Sequence, residues 1–136
     1  MKRQTATRSP SVITAFAALA ATDLALRIFG FARSVAFVRR LSARKPVVEQ
    51  PLLGMLERTA HTVTVAAAFY PGRALCLEQS LVLYLLLRRR GVDAQLRLGV
   101  QPYPFNAHAW VEYRGLPLNE REEIIRQFVP VQEFAV

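Results

Sequence analysis

Apolar residues recur at three- and four-residue steps through most of residues 10–90, and the period then drops to two. Ser9-Pro10 opens the first helical pattern, with Ser9 as N-cap and Pro10 at the first helical position. Ile13, Phe16, Ala17, Ala20 and Leu24 follow on one face. Gly30 ends or kinks this helix. A second, basic helix covers about 31–43, and a third about 51–69, up to the break at Tyr70-Pro71-Gly72. The fourth, about 74–90, is the clearest: Leu77, Leu81, Tyr84, Leu85 and Arg88 fall at helical spacing, and Gly91 follows as a left-handed C-cap. Arg88, Arg89 and Arg90 occupy its last turn, where positive charge complements the helix dipole.

Beyond Gly91 the alternation is that of half-buried strands. "AQLRLGVQ" sets Leu96, Leu98 and Val100 against Gln95, Arg97 and Gly99. "AHAWVEY" sets His108, Trp110 and Glu112 against Ala107, Ala109, Val111 and Tyr113. Arg114-Gly115 then reads as a hairpin turn into "LPLNE", and residues 121–136 as a short helix followed by coil. The expected architecture is α+β: one domain over 1–136, with N-terminal helices over 1–69, then a core over 70–136 in which a central helix meets a small antiparallel sheet.

Composition narrows this little. The 136 residues, 52% of them hydrophobic, suffice for one well-filled core. One cysteine excludes an intramolecular disulfide, and with two histidines it cannot close a zinc site unless carboxylates join, so we expect no cofactor and a reducing, cytoplasmic setting. The net charge of +8 is concentrated in residues 1–50, where nine Lys/Arg face two Asp/Glu. Nucleic acid, anionic lipid and acidic peptide would all suit such a surface, but no nucleic-acid recognition motif accompanies it. "MKRQTATRSPSVITAFAALAA" imitates a signal peptide. The apolar pattern nevertheless continues past any cleavage site, and Asp23 and Arg27 interrupt it, which also argues against a membrane span.

The candidate chemistry starts at Cys76. At the first turn of the fourth helix a thiol lies near unpaired N–H groups and the positive end of the dipole, both of which favour thiolate; flanked by Leu75 and Leu77, it also reads as ordinary core. A thiolate mechanism needs an imidazole and a group to orient it, and His108 sits among residues that do not form a simple aliphatic set. The hairpin offers two orienting groups. If Arg114-Gly115 is a two-residue loop, 113 pairs with 116 and Asn119 shares the His108 face while Glu120 points away. If the loop has three residues, 112 pairs with 116 and Glu120 lies across from His108. Trp110 is either a shield for the His–acid hydrogen bond or a plain core residue, and "QPYPFN" suits the rim of a peptide cleft or a stiff turn. His61 reads as a helix-face residue. Backbone N–H groups, including that of Cys76, are the candidates for an oxyanion site.

In order, "ALCLEQSLVLYLLLRRRGVDAQLRLGV", "NAHAWVEYRG" and "PLNE" resemble the papain-like, transglutaminase-like cysteine enzymes, and within them the lasso-peptide leader peptidases. The resemblance covers residues 71–120. It implies a cysteine protease that cleaves the leader from a ribosomally made precursor peptide, with Cys76 as nucleophile, His108 as general base and acid, and Glu120 as the third residue. That place, twelve after the histidine, usually holds Asp. The resemblance further implies a small leader-recognition partner, which the basic helical half would dock, and a separate cyclase that uses the freed core. Other readings stay open: a general thiol peptidase, an acyl transferase, or a non-catalytic peptide-binding module.

Overall fold

A computed structural model describes residues 10–43, 46, 51, 53–72, 74–103 and 105–131. The expected N-cap at Ser9 lies outside them. Helix α1 (Val12–Leu41) is instead capped by Ser11, whose Oγ accepts from the Thr14 N–H at 3.1 Å, so Pro10 precedes the helix. The two helices expected on either side of Gly30 are two segments of α1. Gly30 breaks the helical backbone between them with φ 80° and ψ 178°, a conformation open to glycine and costly for other residues.

Helix α2 (Leu53–Phe69) leads to α3 (Cys76–Arg89), and α1, α2 and α3 pack on one another. Ala15, Leu19, Val35 and Val38 from α1, Leu56 and Val63 from α2, and Leu81, Leu83 and Leu87 from α3 share one core. Although α1 is long and apolar enough to cross a membrane by length and composition, this inner face is a wall of the protein's own core. Its outer face carries Ile13, Leu24, Ile28, Phe29 and Phe37, all exposed.

The end of α3 follows from Gly91. With φ 83°, Gly91 donates its N–H to the Arg88 carbonyl, and the Val92 N–H reaches the Leu87 carbonyl, both at 3.0 Å, which satisfies two of the helix's last acceptors and reverses the chain. The arginines of this turn do more than complement the dipole. Arg88 Nε donates to the Ser42 carbonyl at the end of α1, and its Nη1 lies 2.8 Å from Asp93.

Strand β1 (Gln95–Pro102) pairs antiparallel with β2 (Phe105–Tyr113), and β2 with β3 (Leu116–Pro117). After the short α4 (Glu122–Ile125), β4 (Val129–Pro130) adds to the other edge of β1, so the sheet of described residues has the order β3-β2-β1-β4. The tail expected to be coil beyond its short helix thus returns to the sheet. Two residues, one of them a proline confined to an edge, carry no alternation by which to detect it. Tyr113 pairs with Leu116 across a two-residue loop, with φ positive at both Arg114 (48°) and Gly115 (80°), as a type I′ turn requires.

Helix α3 lies against one face of β2, where Ala109 and Val111 are buried. His108 and Trp110 project from the other face.

Candidate active site

Cys76 is the first residue of α3, with Leu75 at the N-cap. Leucine has no capping oxygen, and side chains one turn into the helix stand in for it. Glu78 accepts the Leu75 N–H at 3.1 Å, and Gln79 Nε2 donates to the Ala74 carbonyl at 2.8 Å. The approach to Cys76 is thereby pinned from inside α3, and the first-turn N–H groups of Cys76 and Leu77 have no acceptor within the helix.

Cys76 and His108 line one cavity of about 1090 Å³. Its other walls come from α1 (Asp23, Leu26, Arg27, Phe31) and from Leu98, Gly99 and Val100 on β1. Asp23 is a buried carboxylate in the wall of α1. It accepts from the Tyr70 hydroxyl at 2.7 Å and from Arg27 Nε at 3.0 Å. The bond to Asp23 holds the Tyr70 phenol above its usual pKa, since ionising it would place two anions side by side.

His108 Nε2 lies 2.5 Å from Glu120 Oε2, with about a fifth of each side chain exposed. The other carboxylate oxygen of Glu120 accepts the Arg121 N–H at 2.8 Å, so both oxygens are engaged. This partnership corrects an expectation. The turn is the two-residue one, from which Asn119 was expected beside His108 and Glu120 on the far side, yet the contact falls to Glu120. That expectation continued the strand alternation past Pro117, where β3 ends. Residues 118–120 bend away from the ladder, and the bend brings Glu120 back to the imidazole. Asn119 takes other partners: Oδ1 accepts the Val111 N–H at 2.8 Å, and Nδ2 donates to Ser80 Oγ at 2.9 Å.

The imidazole is flanked by two rings. Phe128 stacks at 5.3 Å between centroids and Trp110 at 6.1 Å, both within 30° of parallel. Trp110 is buried, and its Nε1 donates to Glu112 Oε1 at 2.9 Å; Arg97 holds the other oxygen of Glu112. Trp110 is therefore both core and cover for His108.

Two contributors escaped the sequence reading. Phe128 comes from the tail, and Gly99 faces His108 across β1–β2. A Cβ on Gly99 would sit 2.8 Å from the Phe128 Cβ and 2.9 Å from the Trp110 ring, so glycine is what lets both rings close over this pair. Gly99→Ala is expected to destabilise the protein by about 1–3 kcal/mol, the usual cost of overpacking. It should also move the NMR resonance of the His108 ring, whereas His61, exposed on α2, keeps its own.

Tyr103 and Phe105, at the tip of the β1–β2 hairpin, are 90% and 78% exposed, beside the cavity-lining Asn106. Pro104 of "QPYPFN" lies outside the described residues.

Comparison with known proteins agrees with the fold. The model of the transglutaminase-like superfamily matches residues 16–133, which takes in the N-terminal helices as well as the sheet. The chain is also 42% identical over 45 residues to the microcin J25-processing protein McjB of Escherichia coli, a stretch that covers 33% of this chain and 22% of that protein. The chain matches about a fifth of the length of that relative. No solved structure matches at a significant level.

Proposed function

Because the chain belongs to the transglutaminase-like superfamily, we propose that it is a cysteine peptidase that cleaves the leader from a lasso-peptide precursor. Cys76 is the nucleophile, His108 the general base and acid, and Glu120 the orienting carboxylate. One observation carries this reading: Cys76 and His108 line the same cavity while the Nε2 of His108 is held on Glu120. A neutral imidazole that donates from Nε2 keeps its lone pair on Nδ1, the nitrogen then available to take the thiol proton. The partial similarity to a microcin-processing protein supports a precursor peptide as substrate.

In the reaction the Cys76 thiolate adds to the scissile carbonyl, and the oxyanion that forms is met by first-turn N–H groups of α3. The protonated His108 gives its proton to the leaving amine, which departs as the free N-terminus of the core peptide. Water, deprotonated by His108, then hydrolyses the thioester and releases the leader as a free acid. Trp110 and Phe128 keep bulk water off the imidazole. A small leader-recognition protein docks on the basic N-terminal half, where α1 exposes Leu24, Ile28 and Phe37 together with Arg33 and Arg40.

The test is to incubate a lasso precursor peptide with this protein, with and without a leader-recognition partner, and to follow the products by mass spectrometry. We expect two fragments whose masses sum to the precursor plus one water. With the partner present, cleavage should be on the order of 100-fold faster at low peptide concentration, as a raised effective concentration allows. A precursor left intact under all conditions overturns the reading. Transfer of the acyl group to an added amine, with no free acid formed, would replace hydrolysis by acyl transfer.

A further inference from the structure

We propose that Ser80 and Asn119 are positioning residues that set Cys76 and His108 at working distance; this rests on the reading of those two residues as nucleophile and base. Ser80 is a fully buried hydroxyl in a leucine-rich helix, four residues after Cys76 and so one turn further along the same face of α3. Its Oγ donates to the carbonyl oxygen of Ala109, the residue next to His108, at 3.0 Å. The same Oγ accepts from Asn119 Nδ2 at 2.9 Å, and Asn119 Oδ1 accepts the Val111 N–H at 2.8 Å. Asn119 immediately precedes Glu120.

Three hydrogen bonds thus join the helix of Cys76, the strand of His108 and the segment of Glu120; Ala109 adjoins His108, Asn119 adjoins Glu120, and Ser80 lies one turn from Cys76. They occupy the edge of β2 that β3 leaves when it ends at Pro117. The Leu118 N–H takes the Val111 carbonyl at 2.9 Å, Asn119 Oδ1 takes the Val111 N–H, and Ser80 takes the Ala109 carbonyl. The Val111 N–H and carbonyl and the Ala109 carbonyl thereby have partners where the strand ladder no longer supplies them. Apolar packing between α3 and the sheet would allow the helix to slide by a fraction of an ångström. A directional bond from Ser80 to a strand carbonyl does not, and displacements of about 1 Å cost on the order of 100-fold in rate.

The chain carries one cysteine and two histidines, so the test can be read without peptide substrate. The probes are iodoacetamide, whose alkylation of Cys76 is timed across a pH series, and the NMR titration of the His108 ring. If Cys76 and His108 exchange one proton between them, the wild-type alkylation profile and ring titration should share an inflection. In Ser80→Ala and in Asn119→Asp, which retains the acceptor but loses the Nδ2–H donor, we expect the two curves to separate and alkylation at neutral pH to slow by roughly 10- to 100-fold. Ser80→Thr restores the hydroxyl and should recover the shared inflection. Thr59→Val is the control: Thr59 is equally buried, and its Oγ1 donates to the Met55 carbonyl within α2, so the variant should lower the melting temperature and leave both curves in place. If Ser80→Ala and Asn119→Asp melt earlier but retain the shared inflection and the wild-type rate, the positioning role is wrong and the peptidase reading stands. If the two curves are already unrelated in the wild type, the nucleophile–base reading fails, and the positioning proposal with it.

Discussion

Cys76→Ala is expected to abolish the proposed leader cleavage, with a loss on the order of 10⁴- to 10⁶-fold, and to leave the fold as before. The size follows from the proposed role: His108 and Glu120 would remain in place with no nucleophile to activate, and removal of the nucleophile from a catalytic triad costs losses of this order. That the fold survives follows from the position. Cys76 is only partly buried, at the first position of α3, where alanine is a strong helix former and no hydrogen bond of the cap passes through the thiol. The loop ahead of it is held by Glu78 and Gln79, which the substitution leaves untouched. Mass spectrometry of the precursor gives the rate, and a thermal melt within a degree or two of the wild type shows that the loss is chemical. Cys76→Ser should be nearly as inactive, because a hydroxyl is far harder to ionise than a thiol in the same place. Cleavage undiminished in Cys76→Ala would remove the thiol from the mechanism altogether.

The parts of this site that periodicity can carry were legible in the chain. The 3.6-residue spacing and Gly91 located α3 and its end, the two-residue alternation placed His108 and Trp110 on one face of β2, and Arg114-Gly115 marked the hairpin turn while leaving its length open between two residues and three. The third residue was not legible in the alternation, because it depends on what the chain does after a period stops; the family resemblance, not the spacing, pointed to Glu120. Alternation counted through Pro117 puts Asn119 beside His108; the bend at 118–120 puts Glu120 there, and Asn119 serves the strand edge instead. Gly99 and Phe128 were hidden for a related reason. Their closeness depends on β4 returning to pair with β1, a contact between segments about 30 residues apart and only two residues long. Ser80 did leave a trace, as the one serine within "LEQSLVLYLLL", but such a serine becomes informative only once its acceptor is known.

Glu120→Gln is expected to lower turnover on the order of 10³-fold, and Glu120→Ala by as much or more. Glutamine keeps the length and an oxygen able to accept from Nε2, so packing and substrate binding should change little. It lacks the negative charge that, in the proposed mechanism, stabilises the imidazolium formed as His108 takes the thiol proton, and its NH₂ can turn toward the ring and force the wrong tautomer. Loss of charge and tautomer at this position costs about 10⁴-fold in a serine-protease triad. Glu120→Asp separates reach from charge. It keeps the carboxylate but draws it back by one bond of about 1.5 Å, while the backbone on its N-terminal side is held by the Leu118 and Asn119 bonds to Val111. Although aspartate is the usual residue twelve positions after the histidine in the leader peptidases this chain resembles, Asp should not restore the wild-type rate here. Asn119→Ala, which leaves the carboxylate in place, should lose less turnover than Glu120→Ala, with kcat and KM measured on the same precursor. A Glu120→Gln enzyme that turns over at the wild-type rate, or an Asn119→Ala enzyme slower than Glu120→Ala, would move the orienting role off Glu120.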